Sequence, residues 1–244
     1  MNAAAYGEYA GDRRYAGRVA CVWAQRAGAV PYVQRVVPDG CVDVLLIGAE
    51  AQVAGPDTRA MPARVEPGRP ITGVRFRPGQ APGVLGVPLE ALRDRRVPLA
   101  ELWGADAARV SDTVAAAVQE TGPGPEAARA LEALVLARAD GPDDPAAAAT
   151  GRALCPPDGG WPRVADVAAG LGLSERQLRR RCMTGFGYGP KTVQRVIRFQ
   201  RALRAARASG GDLAAIAYRC GYADQAHLSR EVRALADAPL TALL

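Results

Sequence analysis

Residues 164–187 read VADVAAGLGLSERQLRRRCMTGFG, and the fold of the chain turns on them. Val164, Val167, Ala168 and Leu171 give one apolar face to a short helix, and Gly172 supplies the backbone freedom of a tight turn. Ser174 followed three residues later by Gln177 is a capping-box start for a second helix. On that helix Leu178 and Cys182 share one side, while Arg176 and Arg180 fall on the other with Arg179 beside them. The segment predicts helix, turn, helix, with an arginine face left uncovered.

The pattern recurs about fifty residues later, in DLAAIAYRCGYADQAHLSREVRALADAPLTAL at 212–243. Leu213, Ile216, Ala217 and Cys220 pack one helix, Gly221 makes the turn, and Asp224 is placed as an N-cap. Leu228, Val232 and Leu235 then form the next helix's core stripe. Opposite that stripe lie Ala226, Arg230 and Arg233, flanked by Ser229 and His227, with Gln225 in the first turn. Glutamine can pair bidentately with adenine, arginine with guanine, and an alanine methyl can lie against thymine. Between the units, PKTVQRVIRFQRALRAARASGG reads as one connecting helix ending at Gly210–Gly211. A helix of about twenty residues spans roughly 30 Å, close to the ~34 Å between major-groove faces one turn apart.

Charge agrees with a polyanion partner. Residues 1–142 hold 16 basic and 16 acidic side chains and residues 143–244 hold 15 and 9, so the net +6 lies wholly in the C-terminal part. Lys191 is the only lysine, and the Arg-, Ala- and Gly-heavy usage resembles that of a GC-rich genome. The asymmetry and the spacing therefore carry the inference, not arginine abundance.

Residues 143–244 resemble the C-terminal domain of the AraC/XylS family of transcription regulators. SERQLRRRCMTGFGYGPKTVQRVIRFQRAL is similar to that family's first recognition helix and connecting helix, and IAYRCGYADQAHLSREVRALADAPLTALL to its signature. The resemblance covers about two-fifths of the chain and implies duplex-DNA contacts from Arg176, Arg179 and Arg180 and from Gln225, Ala226, His227 and Arg230. It also implies contact with RNA polymerase. The signature more often has Phe where this chain has Leu228 and Val232, and Gly where it has Asp237. The family pattern has an arginine at Arg198, read here as a salt bridge or cap between the two halves of the helical region. His227, the only histidine, has no second histidine with which to build a zinc site.

The remainder reads as a separate unit. Residues 17–100 contain the strand-like runs RVACVW, YVQRVV, CVDVLLI and ITGVRF between Pro- and Gly-rich turns. A helix is expected from near Pro98 through LAELWG into AARVSDTVAAAVQE, and another over PEAARALEALVLARA. In the latter Leu131, Leu134 and Val135 form a stripe that packs either on its own β-domain or on a second copy. The expectation is an α+β chain of two domains. Residues 1–142 are β-rich with flanking helices; residues 143–244 are all-α, with helix-turn-helix units at about 164–187 and 212–236 and a loop at 155–163.

VPDGCVDVLL, AGPDT, GVRFRPGQAPGVLGVP and VPLAELWG resemble an N-terminal domain that accompanies the signature in one branch of the family, where the position implies effector binding or dimerisation. Trp23, Cys41, Asp43, Arg75, Arg77 and Trp103 are the candidates for a small-molecule pocket, since such sites combine aromatic walls with a few polar groups. The alternatives are core tryptophans, a turn at Asp39–Gly40 and an Arg75–Asp43 ion pair. Two further readings stand beside effector control: a thiol sensor at Cys41 or Cys21, and an effector-independent architectural DNA binder with the N-terminal part as a homodimer scaffold. No enzyme, cofactor or metal motif is found. Five scattered cysteines, no apolar run of spanning length and no signal-like start point to a cytoplasmic, nucleoid-associated protein without a membrane partner.

Overall fold

The computed structural model describes residues 5–139, 143–157, 160–209 and 212–244. The expected boundary near residue 142 and the expected helix end at Gly210–Gly211 lie outside these. Eight strands form first: β1 (Ala5–Tyr9), β2 (Val19–Arg26), β3 (Tyr32–Val36), β4 (Val42–Ile47), β5 (Glu50–Ala54), β6 (Met61–Val65), β7 (Ile71–Phe76) and β8 (Arg96–Pro98). Six make an antiparallel sheet in the order β1-β2-β7-β4-β5-β8, and β3 pairs with β6 in a separate ribbon.

Side chains alternate across a strand, and this separates two apolar clusters. Val22, Val44, Val74 and Phe76 point to the face covered by helices, whereas Trp23, Leu45 and Ile71 point to the other. Helices α1 (Pro82–Leu85), α2 (Leu99–Trp103), α3 (Ala105–Thr121) and α4 (Pro125–Leu136) belong to the covered face. The helix expected from Pro98 onward is two helices, because Gly104 takes φ +56° and ψ −131° and breaks the run. Leu131 and Val135 of α4 are fully buried against β2 and β7, with Leu134 packed beside them. The stripe therefore packs on its own sheet.

The rest is helical: α5 (Pro145–Leu154), α6 (Val164–Gly170), α7 (Glu175–Phe186), α8 (Pro190–Ser209), α9 (Leu213–Arg219) and α10 (Gln225–Ala236). Leu178, Cys182, Phe199, Leu203, Ile216, Leu228, Val232 and Leu235 join in one cluster around α8. Among the described residues no helix is long and apolar enough to cross a membrane.

Asp237 closes α10 in the left-handed region, at φ +51°, where a Cβ is strained. Asp237→Gly is expected to raise stability by about 0.5–1 kcal/mol in a urea melt. A loss instead would mean that the aspartate side chain stabilises this turn more than its backbone strain costs.

Candidate nucleic-acid interface

Both turn-helix units are built by local chemistry. At the first, the Ser174 hydroxyl accepts from the Gln177 backbone N–H (3.2 Å), while Gln177 Oε1 accepts from the Ser174 N–H (2.8 Å). Gly172 turns the chain at φ +66°. At the second, Asp224 Oδ1 accepts from the His227 N–H (2.6 Å), and Gly221 turns at φ +74°. The connecting helix α8 is a single helix of 20 residues, roughly 30 Å long.

With Leu178 and Cys182 buried, α7 leaves Arg176, Arg179 and Arg180 exposed on one face. With Leu228, Val232 and Leu235 buried, α10 leaves Gln225, Ala226, Arg230 and Arg233 exposed and Ser229 half-buried. Among the described residues none of these five arginines meets a carboxylate. Other arginines of the helical half are engaged: Arg195 pairs with Glu231 (2.6 Å), and Arg201 donates to the Cys155 and Pro156 carbonyls. Exposed cations without partners, side by side on a helix that starts at a capped turn, are what phosphate and base edges require.

His227 is placed differently from its neighbours. Its Nδ1 accepts from the Ala223 N–H (3.3 Å) and its ring meets Tyr222 edge-on at 5.3 Å, so it braces the turn before α10. Arg198 makes no salt bridge among the described residues, against expectation; its guanidinium lies 4.5 Å from the Trp161 ring and 5.6 Å from the Tyr222 ring. Trp161, from the loop before α6, is the side chain that sequence reasoning passed over. Its Nε1 donates to the Cys220 carbonyl (2.9 Å), the Arg201 guanidinium lies 4.8 Å from its ring centroid, and a Cβ on Gly221 would fall 2.5 Å from the ring. A tryptophan at the foot of a helix-turn-helix unit was the only available signal.

The six pocket candidates do not come together. Trp23 and Trp103 lie on opposite faces of the sheet, since Trp103 packs with the helix-covered cluster and Trp23 with the other. Trp103 instead lines a groove of about 510 Å³ with Asp106 and Arg138. Arg77 donates from Nε to the Ala16 carbonyl (2.8 Å), apart from Arg75. The remaining four do cluster, but satisfy one another. Asp43 accepts from Trp23 Nε1 (3.3 Å) and from Arg75 Nε (3.1 Å), and Arg75 also reaches Glu8 (3.3 Å) and Asp39 (3.8 Å). Burial works against the Arg75 charge, but Asp43 and Asp39 outweigh it and hold the guanidinium protonated.

The same carboxylates bear on the thiols. Burial, then Asp39 and Asp43, hold the Cys41 thiol well above its usual range, and burial with Glu8 pushes Cys21 up to about 11. A sensor thiol needs the opposite shift. No group of three or more His, Cys, Asp or Glu suited to a metal occurs among the described residues.

The two halves meet through a specific set of contacts. Gln80 and Asp144 exchange side-chain-to-backbone hydrogen bonds (2.9 Å each), Gln200 Nε2 donates to the Pro38 carbonyl (2.6 Å), and Arg93 Nη1 donates to the Gly187 carbonyl (3.2 Å). Gly187, at φ +82°, lies so close to Pro56 that a Cβ would stand 2.5 Å from its ring.

Two helix-turn-helix units joined by one long helix define a DNA-binding transcription regulator. Residues 167–244 match the model of a helix-turn-helix domain family, and residues 8–98 match that of a domain of unknown function, DUF6597; the chain carries an AraC-type helix-turn-helix domain at its C-terminal end. No curated protein matches the chain. Among solved structures it is similar to ToxT from Vibrio cholerae O395, at 12% identity over 91% of this chain and 95% of that one, TM-score 0.48. It is also similar to ToxT from Vibrio cholerae with an unsaturated fatty acid bound (9% identity, 91% and 93% covered, TM-score 0.43) and to the regulator CdpR from Pseudomonas aeruginosa (20%, 73% and 46%, TM-score 0.34).

Proposed function

We propose that this regulator is sequence-specific, inserting α7 and α10 into two successive major-groove faces, and that a small-molecule effector held with the help of the N-terminal half sets its activity. The observation that carries the DNA reading is the set of five exposed arginines, without carboxylate partners among the described residues, divided between two capped recognition helices. Gln225 and Arg230 read bases, Ala226 contacts a methyl group, and Ser229 and Arg233 flank them. Arg176, Arg179 and Arg180 do not all find guanines, and at least one of the three is a phosphate contact. His227 positions the turn. A homodimer and a contact with RNA polymerase belong to the same reading, through the family resemblance.

The test is affinity for a panel of single-base operator variants at several salt concentrations. Gln225→Ala and Arg230→Ala should each cost about 1–3 kcal/mol and relax preference at particular positions. Unchanged affinity and unchanged base preference in both variants would remove α10 as a groove-reading helix.

A further inference from the structure

Within the β-rich half, the helices that cover the sheet leave a groove of about 510 Å³ between α2, the start of α3 and the end of α4, a volume ordinary for a small-molecule site. Leu85, Val87, Leu102 and Leu134 supply apolar wall, and Trp103, Asp106, Arg109 and Arg138 the rest of the argument. Trp103 closes α2 and is only 7% exposed. The Arg138 guanidinium lies 4.8 Å from the centroid of its ring and pairs with Asp106, which also meets Arg109 at 3.6 Å. Two buried N–H donors of this groove have no hydrogen-bond partner among the described residues, Trp103 Nε1 and Arg138 Nε. A buried N–H left without an acceptor is costly, so both favour an occupant that brings one. Arg138 is the movable wall: its side chain is 35% exposed, and rotamer changes of such side chains are fast enough to open the indole edge.

We propose that this groove binds an uncharged compound with an apolar or aromatic body and a single acceptor, an amide, lactam or ketone, whose oxygen takes the Trp103 indole N–H and the Arg138 guanidinium. Charge decides the class. Asp106 already matches Arg138, and Arg109 is 69% exposed, so the inner groove is close to neutral. A carboxylate seated there would stand beside Asp106 and a cation beside Arg138, each also losing its hydration, whereas a carbonyl meets neither cost. In control, the proposal rests on the effector reading above and gives it a seat within the β-rich half. The groove takes in Leu134, Ala137 and Ala139, at the end of α4 and just before the chain passes to the helical half. None of the arginines exposed on α7 and α10 lines it. Compound and operator can therefore be held together, and whatever each does to the affinity of the other is reciprocal.

The probe is naphthalene-2-carboxamide on the full chain, compared with 2-methylnaphthalene, which lacks the acceptor, and naphthalene-2-carboxylate, which adds a charge. The chain has three tryptophans, so a nitrogen-labelled sample gives three indole N–H signals in a magnetic resonance spectrum, assigned with Trp23→Phe and Trp161→Phe. The carboxamide should move the Trp103 signal downfield, as a new hydrogen bond does, and leave the other two in place. It should bind about tenfold more tightly than either comparison compound. In Trp103→Phe, which keeps a ring but no donor, its advantage over 2-methylnaphthalene should fall to about threefold or less. The indole signal is read in the unaltered chain, so the test survives a variant that fails to fold. Saturating carboxamide should also change operator affinity by about fivefold or more. No movement at Trp103, equal binding of carboxamide and 2-methylnaphthalene, or tighter binding of the carboxylate would overturn the proposal. A Trp103 shift with operator affinity unchanged would keep the site and remove it as the effector seat. A chain that binds no operator would sink the functional reading instead, leaving the indole signal and the three-compound comparison to decide the groove.

Discussion

Replacing Trp161 with alanine should lower stability by about 2–4 kcal/mol, since the loss of a large packed aromatic leaves a void that the surroundings fill only in part. More than packing is lost. The indole N–H to the Cys220 carbonyl goes, and both Arg198 and Arg201 lose the ring they stack on, at about 0.5–2 kcal/mol for each cation–π contact. Arg198 suffers most, because its Nε is buried without a hydrogen-bond partner among the described residues. The wedge also sets how the α9–α10 turn sits on α8, through Gly221. Urea melts of the parent, Trp161→Ala and Trp161→Phe should rank in the order parent, Phe, Ala, since phenylalanine keeps the ring face without the donor. Affinity for an operator with both half-sites should fall further than affinity for either half-site alone. A Trp161→Ala chain as stable as the parent would mean that α8 and the second unit are held together by the apolar cluster alone.

Removing all three arginines of α7, Arg176→Ala with Arg179→Ala and Arg180→Ala, should reduce operator affinity about a thousandfold or more. Charge-assisted contacts are worth about 1.5–3 kcal/mol each when they are made to an anion. The salt dependence gives the sharper reading. Each phosphate contact contributes about 0.9 to the slope of log K against log salt, so the triple variant should flatten it by about one to three, according to how many of the three meet phosphates. All three side chains are exposed, so circular dichroism and melting should hardly change. Arg129→Ala on α4, also exposed but on the β-rich half, should leave the slope alone. A slope unchanged in the triple variant would place α7 away from the duplex.

The helical half was legible because its signals are local. A capping box, a glycine at positive φ and an apolar face at spacings of three and four lie within about twenty residues of one another, and the helix-turn-helix geometry follows from them. The sheet was legible only in part. β2, β3, β4 and β7 correspond to the β-branched runs, whereas β1, β5, β6 and β8 are rich in Ala, Gly, Glu, Arg or Pro and owe their strand form to the partners beside them. Gly104 was visible, but not that it would take a conformation ending one helix and starting another.

The candidate ligand set marks the division between the two levels most clearly. Alternation along β2 places Val22 and Trp23 on opposite faces whatever the fold, yet nothing local says which face the helices cover, so the separation of Trp23 from Trp103 could not be read. The sequence by itself determined the two helix-turn-helix units, the arginine and glutamine faces they expose, and the concentration of positive charge in one half. Only the tertiary structure decided that Arg75 is matched by Asp43, Asp39 and Glu8, that Trp161 braces the second unit, and that Arg93 comes to stand beside Arg176, Arg179 and Lys191. Those three outcomes join residues tens of positions apart, and contacts of that range depend on strand order and on how the halves dock, quantities to which no local period or cap is sensitive.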